Sequence, residues 1–232
     1  MDDVRFRDFA AVSGPGREPV NAGDRPASPS RVASRGSILN RVTRTLRRLV
    51  VLVLSPAEAW EAIAREPTSI DEITRRTIIP LSLLAPAATV IGMKTFDASW
   101  DPAHGYLVPP EAIYAAGATT LFATIGSIFL LAAIFVLIAP MYGSRCDYPS
   151  ALKVSAYGSV PVMLAGATLF LPVMVIVSIV ALCHTLYLYW VGVGRVLEVP
   201  AGERTEFIGI SLTLLGGLST LVGAAVSSIG LA

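Results

Sequence analysis

Residues 154–194 read VSAYGSVPVMLAGATLFLPVMVIVSIVALCHTLYLYWVGVG and contain no Asp, Glu, Lys or Arg. Lys153 and Arg195 stand directly outside this run. A membrane-spanning helix needs about 20 mostly apolar residues, so the run is long enough for two such helices. Pro172 lies near its middle, where a proline in the first turn of a second helix costs little. Because both charged flanks then lie on the same side of the bilayer, we predict an integral membrane hairpin.

The composition of the whole chain also indicates a membrane protein. Of its 232 residues, 53% are hydrophobic and 15% are charged, whereas a soluble domain carries about 25% charged residues. The mean hydropathy is +0.64. Two cysteines, Cys146 and Cys183, are too few for a disulfide framework. Residues 1–36 lack the apolar core of a cleavable signal peptide, so we expect the first apolar helix to start membrane insertion.

Residues 1–36 are rich in Pro, Gly, Ser and Arg, and repeated prolines interrupt any helical or strand period. Such a segment cannot bury enough apolar surface to offset the entropy of ordering, so we predict a disordered tail. Two roles stay open for it: a solvated tail or an arm that docks a partner.

Residues 37–54 have the pattern of an amphipathic helix with a basic face. The arginines of this face, which have no acidic counterparts nearby, are Arg41, Arg44, Arg47 and Arg48. Aliphatic residues recur at helical spacing on another face, which favours a helix in the membrane interface that contacts anionic lipids of the cytosolic leaflet. The alternative is a helix packed against the protein's own cytosolic face. Two helix-capping patterns follow, so we assign residues 37–76 to cytosolic amphipathic helices.

The membrane domain predicted from apolar length covers residues 77–232 and has five spans. They lie at about residues 77–93, 112–139, 154–171, 172–193 and 207–231. The fold class is therefore all-α: a polytopic membrane protein with five transmembrane helices, preceded by cytosolic amphipathic helices and a disordered N-terminal tail. Lys and Arg concentrate in the loops after the second and fourth spans, so the positive-inside rule predicts a cytosolic N-terminus and an exported C-terminus.

Three blocks of the sequence carry a resemblance to a known family. A Ser55-Pro56 helix start with Trp60 precedes the spans, Tyr157-Gly158-Ser159-Val160-Pro161 lies in the third span, and LYLYWVGV ends the fourth. Over roughly residues 55–231 the chain resembles the bacterial branch of the Yip1 family. The resemblance implies a five-span domain of the bacterial inner membrane with a cytosolic N-terminal region. Eukaryotic members act in vesicle traffic with prenylated GTPases, a pathway that bacteria lack, and the resemblance supplies no active-site residue.

The sequence contains no catalytic motif: it lacks HExxH, G-x-S-x-G, a phosphate-binding loop and a pair of membrane carboxylates. Its histidines and cysteines are too scattered to ligate zinc, so we expect no metal and no cofactor. Its basic cluster interleaves with aliphatic residues rather than base-stacking aromatics, which argues against nucleic acid as a partner. We therefore predict a protein that is not an enzyme.

Three residues of the hairpin are candidates for a cavity within the bilayer: Tyr157, Pro161 and His184. Pro161 frees the carbonyl of Tyr157 one turn earlier and so favours a bend. His184 lies about halfway along the fourth span, where an ionisable residue is costly unless it is paired. The alternatives are that the bend serves packing and that a neutral His184 imidazole bonds to Ser178, Ser155 or a backbone carbonyl.

The fifth predicted span carries small residues along one face of its helix. They alternate by four and three positions: Gly209, Thr213, Gly216, Thr220, Gly223, Ser227 and Gly230. Because lipid is as apolar as leucine, close approach through small residues drives helix association in a bilayer. We predict a packing face, with another span of the same chain as the first choice of partner and a second copy as the other.

Together these patterns predict a non-enzymatic, Yip1-like membrane protein that organises membrane components. It acts through helix–helix assembly with itself or with other membrane proteins, and through its basic interfacial region. The alternative is a small transporter or channel with a path near Tyr157, Pro161 and His184. The odd number of spans and the lack of a visible inverted repeat argue against transport.

Overall fold

The computed structural model describes residues 47–67, 69–95, 100–101, 106–107, 110–168 and 174–230. The tail 1–36, residues 37–46 and the predicted turn at Pro172 lie outside these residues. The helices are α1 (residues 47–54), α2 (Pro56–Arg65), α3 (Ile70–Thr95), α4 (Pro110–Ile138), α5 (Tyr148–Gly158), α6 (Val160–Ala165), α7 (Val175–Val196) and α8 (Arg204–Gly230). Short 3₁₀ turns extend α4 (Ala139–Tyr142) and α6 (Gly166–Thr168).

Helix α3 accommodates a proline without ending. Its start is capped by Ser69, whose hydroxyl accepts the backbone N–H of Glu72 at 3.2 Å. Residues Thr74–Ile78 form a π-helical turn in which the N–H of the next residue donates to the Thr74 carbonyl. Pro80 follows closely and has no N–H for the α-helical pattern, so the widened turn absorbs the missing bond. Helix α3 is one 26-residue helix that contains the predicted span 77–93, and the limits of that span within the bilayer stay a prediction.

Among the described residues, four helices are long and apolar enough to cross a membrane: Ile70–Thr95, Glu111–Tyr142, Val175–Val196 and Arg204–Val226. At 1.5 Å per residue the shortest is about 33 Å long, which exceeds the hydrocarbon core of about 30 Å. The third predicted span, 154–171, is not one helix. It divides at Ser159 into α5 and α6, because Pro161 donates no hydrogen bond to the preceding turn. The bend predicted at Pro161 is present, whereas the expected continuous third span is not.

The broken segment α5–α6 lies at the centre of the bundle. Every residue from 151 to 161 is buried, and the segment contacts α3, α4 and α7. Its polar side chains therefore face protein rather than lipid, which explains why it is less apolar than the four long helices. Helix α8 packs on the outside, where Phe207 stacks on Phe135 of α4 with ring centroids 5.4 Å apart.

A two-residue antiparallel strand pair lies between α3 and α4. Trp100 pairs with Leu107, and Asp101 pairs with Tyr106. These residues lie between the first and second predicted spans, and their pairing was not predicted. In the described part of the chain this pair is the one exception to helical secondary structure, so the all-helical part of the predicted fold class is confirmed.

Candidate functional site

Three sequence blocks that lie far apart in the chain meet where α2, α5 and α7 pack together. The ring of Tyr189 on α7 covers the backbone of Gly158 on α5, and a Cβ atom at residue 158 would overlap the ring carbons Cδ1 and Cε1. Glycine is therefore the residue that allows this approach. We call the contacts of Trp60, Gly158, Ser159, Tyr189 and Gly192 the aromatic junction.

A buried hydrogen-bond chain fixes the orientation of Tyr189. The hydroxyl oxygens of Tyr189 and Ser159 are 2.7 Å apart. The Ser159 hydroxyl donates to the carbonyl of Ser155 at 2.7 Å, so the Tyr189 hydroxyl donates to Ser159. The Ser155 hydroxyl in turn donates to the carbonyl of Ile128 on α4 at 2.6 Å. The chain thus joins α7, α5 and α4 through buried groups whose hydrogen bonds are satisfied.

Trp60 anchors the amphipathic helix α2 in the same junction. Its side chain is fully buried, and a Cβ atom at Gly192 would lie 2.7 Å from Cζ2 of the indole. The buried face of α2 consists of Ala59, Trp60 and Ile63. The capping bond predicted at Ser55 is not formed, since the Ser55 side chain makes no cap hydrogen bond. Helix α2 is therefore held by packing against α7.

Charged contacts surround the aromatic junction. The Arg48 guanidinium lies 2.5 Å from the Glu66 carboxylate and 5.0 Å from the ring centroid of Tyr157. The buried Lys153 ammonium donates to the carbonyl of Glu66 at 2.5 Å and to that of Ile63 at 3.4 Å. A cation suits this position because the carbonyls at a helix C-terminus carry partial negative charge. These contacts fix the end of α2 against α1 and α5.

Two further basic residues, Arg195 and Arg204, lie at the same end of the bundle. Arg195 pairs with Glu61 of α2 at 3.2 Å. Arg204 lies over the ring of Trp190 at 5.1 Å, covers Gly194, and donates from Nε to the carbonyl of Val199 at 3.0 Å. The two loops of this end also meet, because the Ser144 hydroxyl donates to the carbonyl of Leu197. Helices α1 and α2 and the two loops next to the basic residues therefore lie at one end of the bundle.

A comparison with protein-family models identifies the family to which these contacts belong. A family model, the Yip1 domain, matches residues 50–224, which is most of the chain and includes every residue of the aromatic junction. The chain belongs to the Yip1 family. With its apolar helices, this membership makes it a multi-pass membrane protein. A comparison with curated proteins and a comparison with solved structures gave no match.

In this Yip1-family chain the predicted lipid-contacting arginines differ in their surroundings. Arg41 and Arg44 lie outside the described residues. Arg47 is exposed. Arg48 is half-buried, forms an ion pair with Glu66 and lies over the ring of Tyr157. Helix α1 packs on the bundle through Leu49 and Leu52, which agrees with the alternative of a helix on the protein's own face. Contact of these arginines with lipid stays a prediction, and Arg48 is the least suited to it.

The predicted cavity residues are only partly brought together. Tyr157 and Pro161 are buried in the core, while His184 is partly exposed on α7. The break at Pro161 is satisfied from α7, because the backbone N–H of Val162 donates to the Thr185 hydroxyl at 3.3 Å. Thr185 was not singled out from the sequence. Thr185 is a polar residue in the span that follows the proline-broken segment, and that position is the sequence signal that points to it.

The surroundings of His184 differ from those expected. Its buried Nε2 has no hydrogen-bond partner among the described residues. Ser155, one of the predicted partners, donates to a backbone carbonyl of α4 instead. The ring of Tyr187 lies nearest among the aromatic rings described, with centroids 6.0 Å apart. A role of His184 in a transport path stays a prediction.

The small-residue stripe of α8 faces away from the bundle. Gly209, Thr213, Gly216 and Thr220 are exposed, and a Cβ atom at Gly209 or Gly216 would meet nothing within 4 Å. Within the described part of the chain, this stretch of the stripe packs against no other span, although that was the first choice. The residues 227–230 are described by their backbone alone. The packing face therefore stays a prediction that now concerns a second copy or another protein.

The described residues were compared with the arrangements that metal sites and reactive thiols need. They contain no group of three or more His, Cys, Asp or Glu side chains that could hold a metal ion. Cys146, which lies in the loop after α4, is half-buried, and burial together with the neighbouring Asp147 charge raises the pKa of its thiol. A thiol with a raised pKa is a poor nucleophile at neutral pH. What the site does provide is a rigid attachment of α1 and α2 to the membrane bundle.

Proposed function

We propose that this chain is a non-enzymatic membrane organiser of the Yip1 type, which assembles with a second copy of itself or with other membrane proteins. The observation that carries the proposal is the exposure of α8. All residues from Gly216 to Val226 are exposed, so more than two turns of this helix present a surface that the rest of the described chain leaves largely uncovered. The other three long helices are buried over a larger share of their length.

The chemistry of the exposed stripe supports helix association. The hydroxyl of Thr213 donates to the carbonyl of Gly209 at 2.8 Å, and that of Thr220 donates to the carbonyl of Gly216 at 2.9 Å. Both hydroxyls are therefore satisfied within the helix and need no partner in the bilayer. Glycines between them leave a smooth surface on which a second helix can approach closely.

The orientation belongs to the same proposal. Residues 148–168 would rise about 30 Å as a helix, so the broken segment α5–α6 is long enough to be the fifth crossing. The end of the bundle that carries Lys153, Arg195 and Arg204 then faces the cytosol of a bacterium by the positive-inside rule. The N-terminus is cytosolic and the C-terminus is periplasmic or extracellular.

The basic region supplies the second part of the organising role. Arg47 is exposed beside the apolar residues Val50, Val51 and Leu54, which are exposed as well. An exposed apolar edge next to a guanidinium suits the interface of an anionic cytosolic leaflet. Arg41 and Arg44 precede this edge in the sequence and extend its charge.

The test compares neighbouring glycines of α8. Gly216 lies on the stripe and Gly217 lies beside it, and both have open space around Cβ. We expect Gly216→Leu to lower self-association in lipid nanodiscs or proteoliposomes by about tenfold, as measured by energy transfer between two labelled populations, while Gly217→Leu leaves it nearly unchanged. Equal behaviour of the two variants, or a monomeric unaltered protein without any co-purifying membrane partner, would contradict the proposal.

A further inference from the structure

A cleft of about 310 Å³ lies between the amphipathic helices α1 and α2. This is near the lower end of the range for small-molecule sites, about 300–1,000 Å³. Its lining combines charged and apolar side chains: Arg47, Arg48, Val51, Glu58, Ala59, Ala62 and Ile63. We call it the α1–α2 cleft.

The charges of the α1–α2 cleft balance one another. The positive charge of Arg48 is already matched by Glu66, at 2.5 Å. Arg47 and Glu58 are exposed and form no ion pair with other described residues. The cleft therefore offers one guanidinium for an anionic group and one carboxylate for a cationic group, with no net charge to attract an anion.

The surroundings of the cleft place it at the membrane surface. It belongs to the end of the bundle that carries Lys153 and Arg195, where α2 is attached. Along α1, the apolar side chains of Val50 and Leu54 are 53% and 76% exposed. An acyl chain can cover such side chains, while the floor of the cleft, made by Val51, Ala59 and Ile63, suits the apolar part of a glycerolipid.

We infer that the α1–α2 cleft binds one zwitterionic phospholipid whose headgroup ends in a primary ammonium, such as an ethanolamine phospholipid. Arg47 donates hydrogen bonds to the phosphate, and Glu58 accepts hydrogen bonds from the ammonium. An anionic headgroup leaves Glu58 unmatched and repels it. A choline headgroup has no N–H to donate and is recognised by aromatic rings, and no aromatic residue is among those that line this cleft. The inference rests on the proposed position of α1 at the cytosolic membrane interface and not on the proposed self-association through α8.

The experiment uses the full chain in detergent with an equimolar mixture of dioleoyl phosphatidylethanolamine, phosphatidylcholine and phosphatidylglycerol. Native mass spectrometry counts the lipids that stay bound. We expect one ethanolamine lipid to be retained about tenfold more than either competitor, since each discriminating contact is a hydrogen bond to a charged group. Glu58→Gln should reduce the preference for ethanolamine over choline to about twofold or less. Glu203→Gln, an exposed carboxylate in the loop before α8, is the matched charge control and should change nothing.

A second pair of variants tests the place of binding. Ala62 lines the cleft, and Ala64 is exposed on the same helix outside it. Ala62→Leu fills the cleft and should lower retention of the ethanolamine lipid about tenfold, whereas Ala64→Leu should not. Equal retention of the three lipids by the unaltered protein overturns the inference, as does a preference for phosphatidylglycerol or an equal effect of the two alanine variants. Should Ala62→Leu fail to fold, the headgroup preference of the unaltered protein and of Glu58→Gln decides. Loss of self-association would not change lipid retention, so the proposal of self-association through α8 and the proposal of lipid binding in the α1–α2 cleft can fail independently.

Discussion

The aromatic ring of Tyr189 rests on the backbone of Gly158, and the two residues come from segments that are 31 positions apart in the chain. The ring occupies the space that any β-carbon at residue 158 would need. Ser159, the next residue, accepts the hydrogen bond of the same tyrosine. A pair of neighbouring residues on α5 thus fixes one aromatic side chain of α7 in position and orientation.

Gly158→Ala should therefore destabilise the protein strongly. The added methyl group meets a ring that is itself held by a hydrogen bond, and overpacking of this kind costs about 1–3 kcal/mol of unfolding free energy. Gly126→Ala is the matched control, because a Cβ atom there meets nothing within 4 Å and α4 stays helical. Thermal unfolding of the detergent-purified proteins measures the difference. Equal melting temperatures for the two variants would show that the ring moves aside at no cost.

Lys153→Met should loosen α2 from the bundle. The buried ammonium donates to the carbonyls of Glu66 and Ile63, and the loss of hydrogen bonds from a charged donor costs about 1.5–3 kcal/mol. Arg195→Gln removes an exposed ion pair instead and should cost at most about 1 kcal/mol. Limited trypsin digestion after the exposed Arg65 reports the release of α2. The idea fails if both variants are cleaved at the same rate as the unaltered protein.

The orientation of the chain can be read from reporter fusions. An export-active reporter fused after Ala232 should be active, and the same reporter fused after Gly143, in the loop that follows α4, should be inactive. The reason is the excess of Lys and Arg at the end of the bundle that carries this loop. The reverse pattern contradicts the proposed orientation, and activity at both positions contradicts an odd number of crossings.

Cys146 should react slowly with a soluble maleimide at neutral pH. Burial and the charge of Asp147 raise the pKa of its thiol, so less of the reactive thiolate is present than for an ordinary cysteine. The rate should increase as the pH rises towards that pKa. In a Cys183→Ser background, Asp147→Asn removes the repelling charge, lowers the pKa and should raise the rate several-fold at the same pH. A rate that is the same in both proteins would leave burial as the sole cause.

The fold class of this protein follows from the lengths of its apolar segments. Four helices capable of crossing a membrane, the helical class and the family all agree with patterns visible in the sequence. These features are predictable because a lipid environment demands long, uncharged, internally hydrogen-bonded helices wherever they occur. The bend at Pro161 was predictable for a separate reason, because a proline removes a backbone donor in any context.

The boundaries were harder to predict where a helix is covered by protein. The start of α3 at Ile70 was predictable, because the capping pattern at Ser69 marks it and the helix passes Arg75 and Arg76 before its apolar part. The segment α5–α6 is polar for a membrane helix because its neighbours shield it from lipid. Hydropathy reports the solvent that a residue prefers and does not report which neighbours surround it.

The sequence by itself determined that this is a helical membrane protein, because that property depends on composition and period along a single chain. Only the tertiary structure decided that Trp60 lies against Gly192, that Tyr189 lies against Gly158 and bonds to Ser159, and that Arg48 is paired with Glu66. It also turned the small-residue stripe of α8 outwards. The physical reason is that such contacts join residues distant in sequence, and their partners are set by how helices pack in three dimensions, which no local pattern encodes.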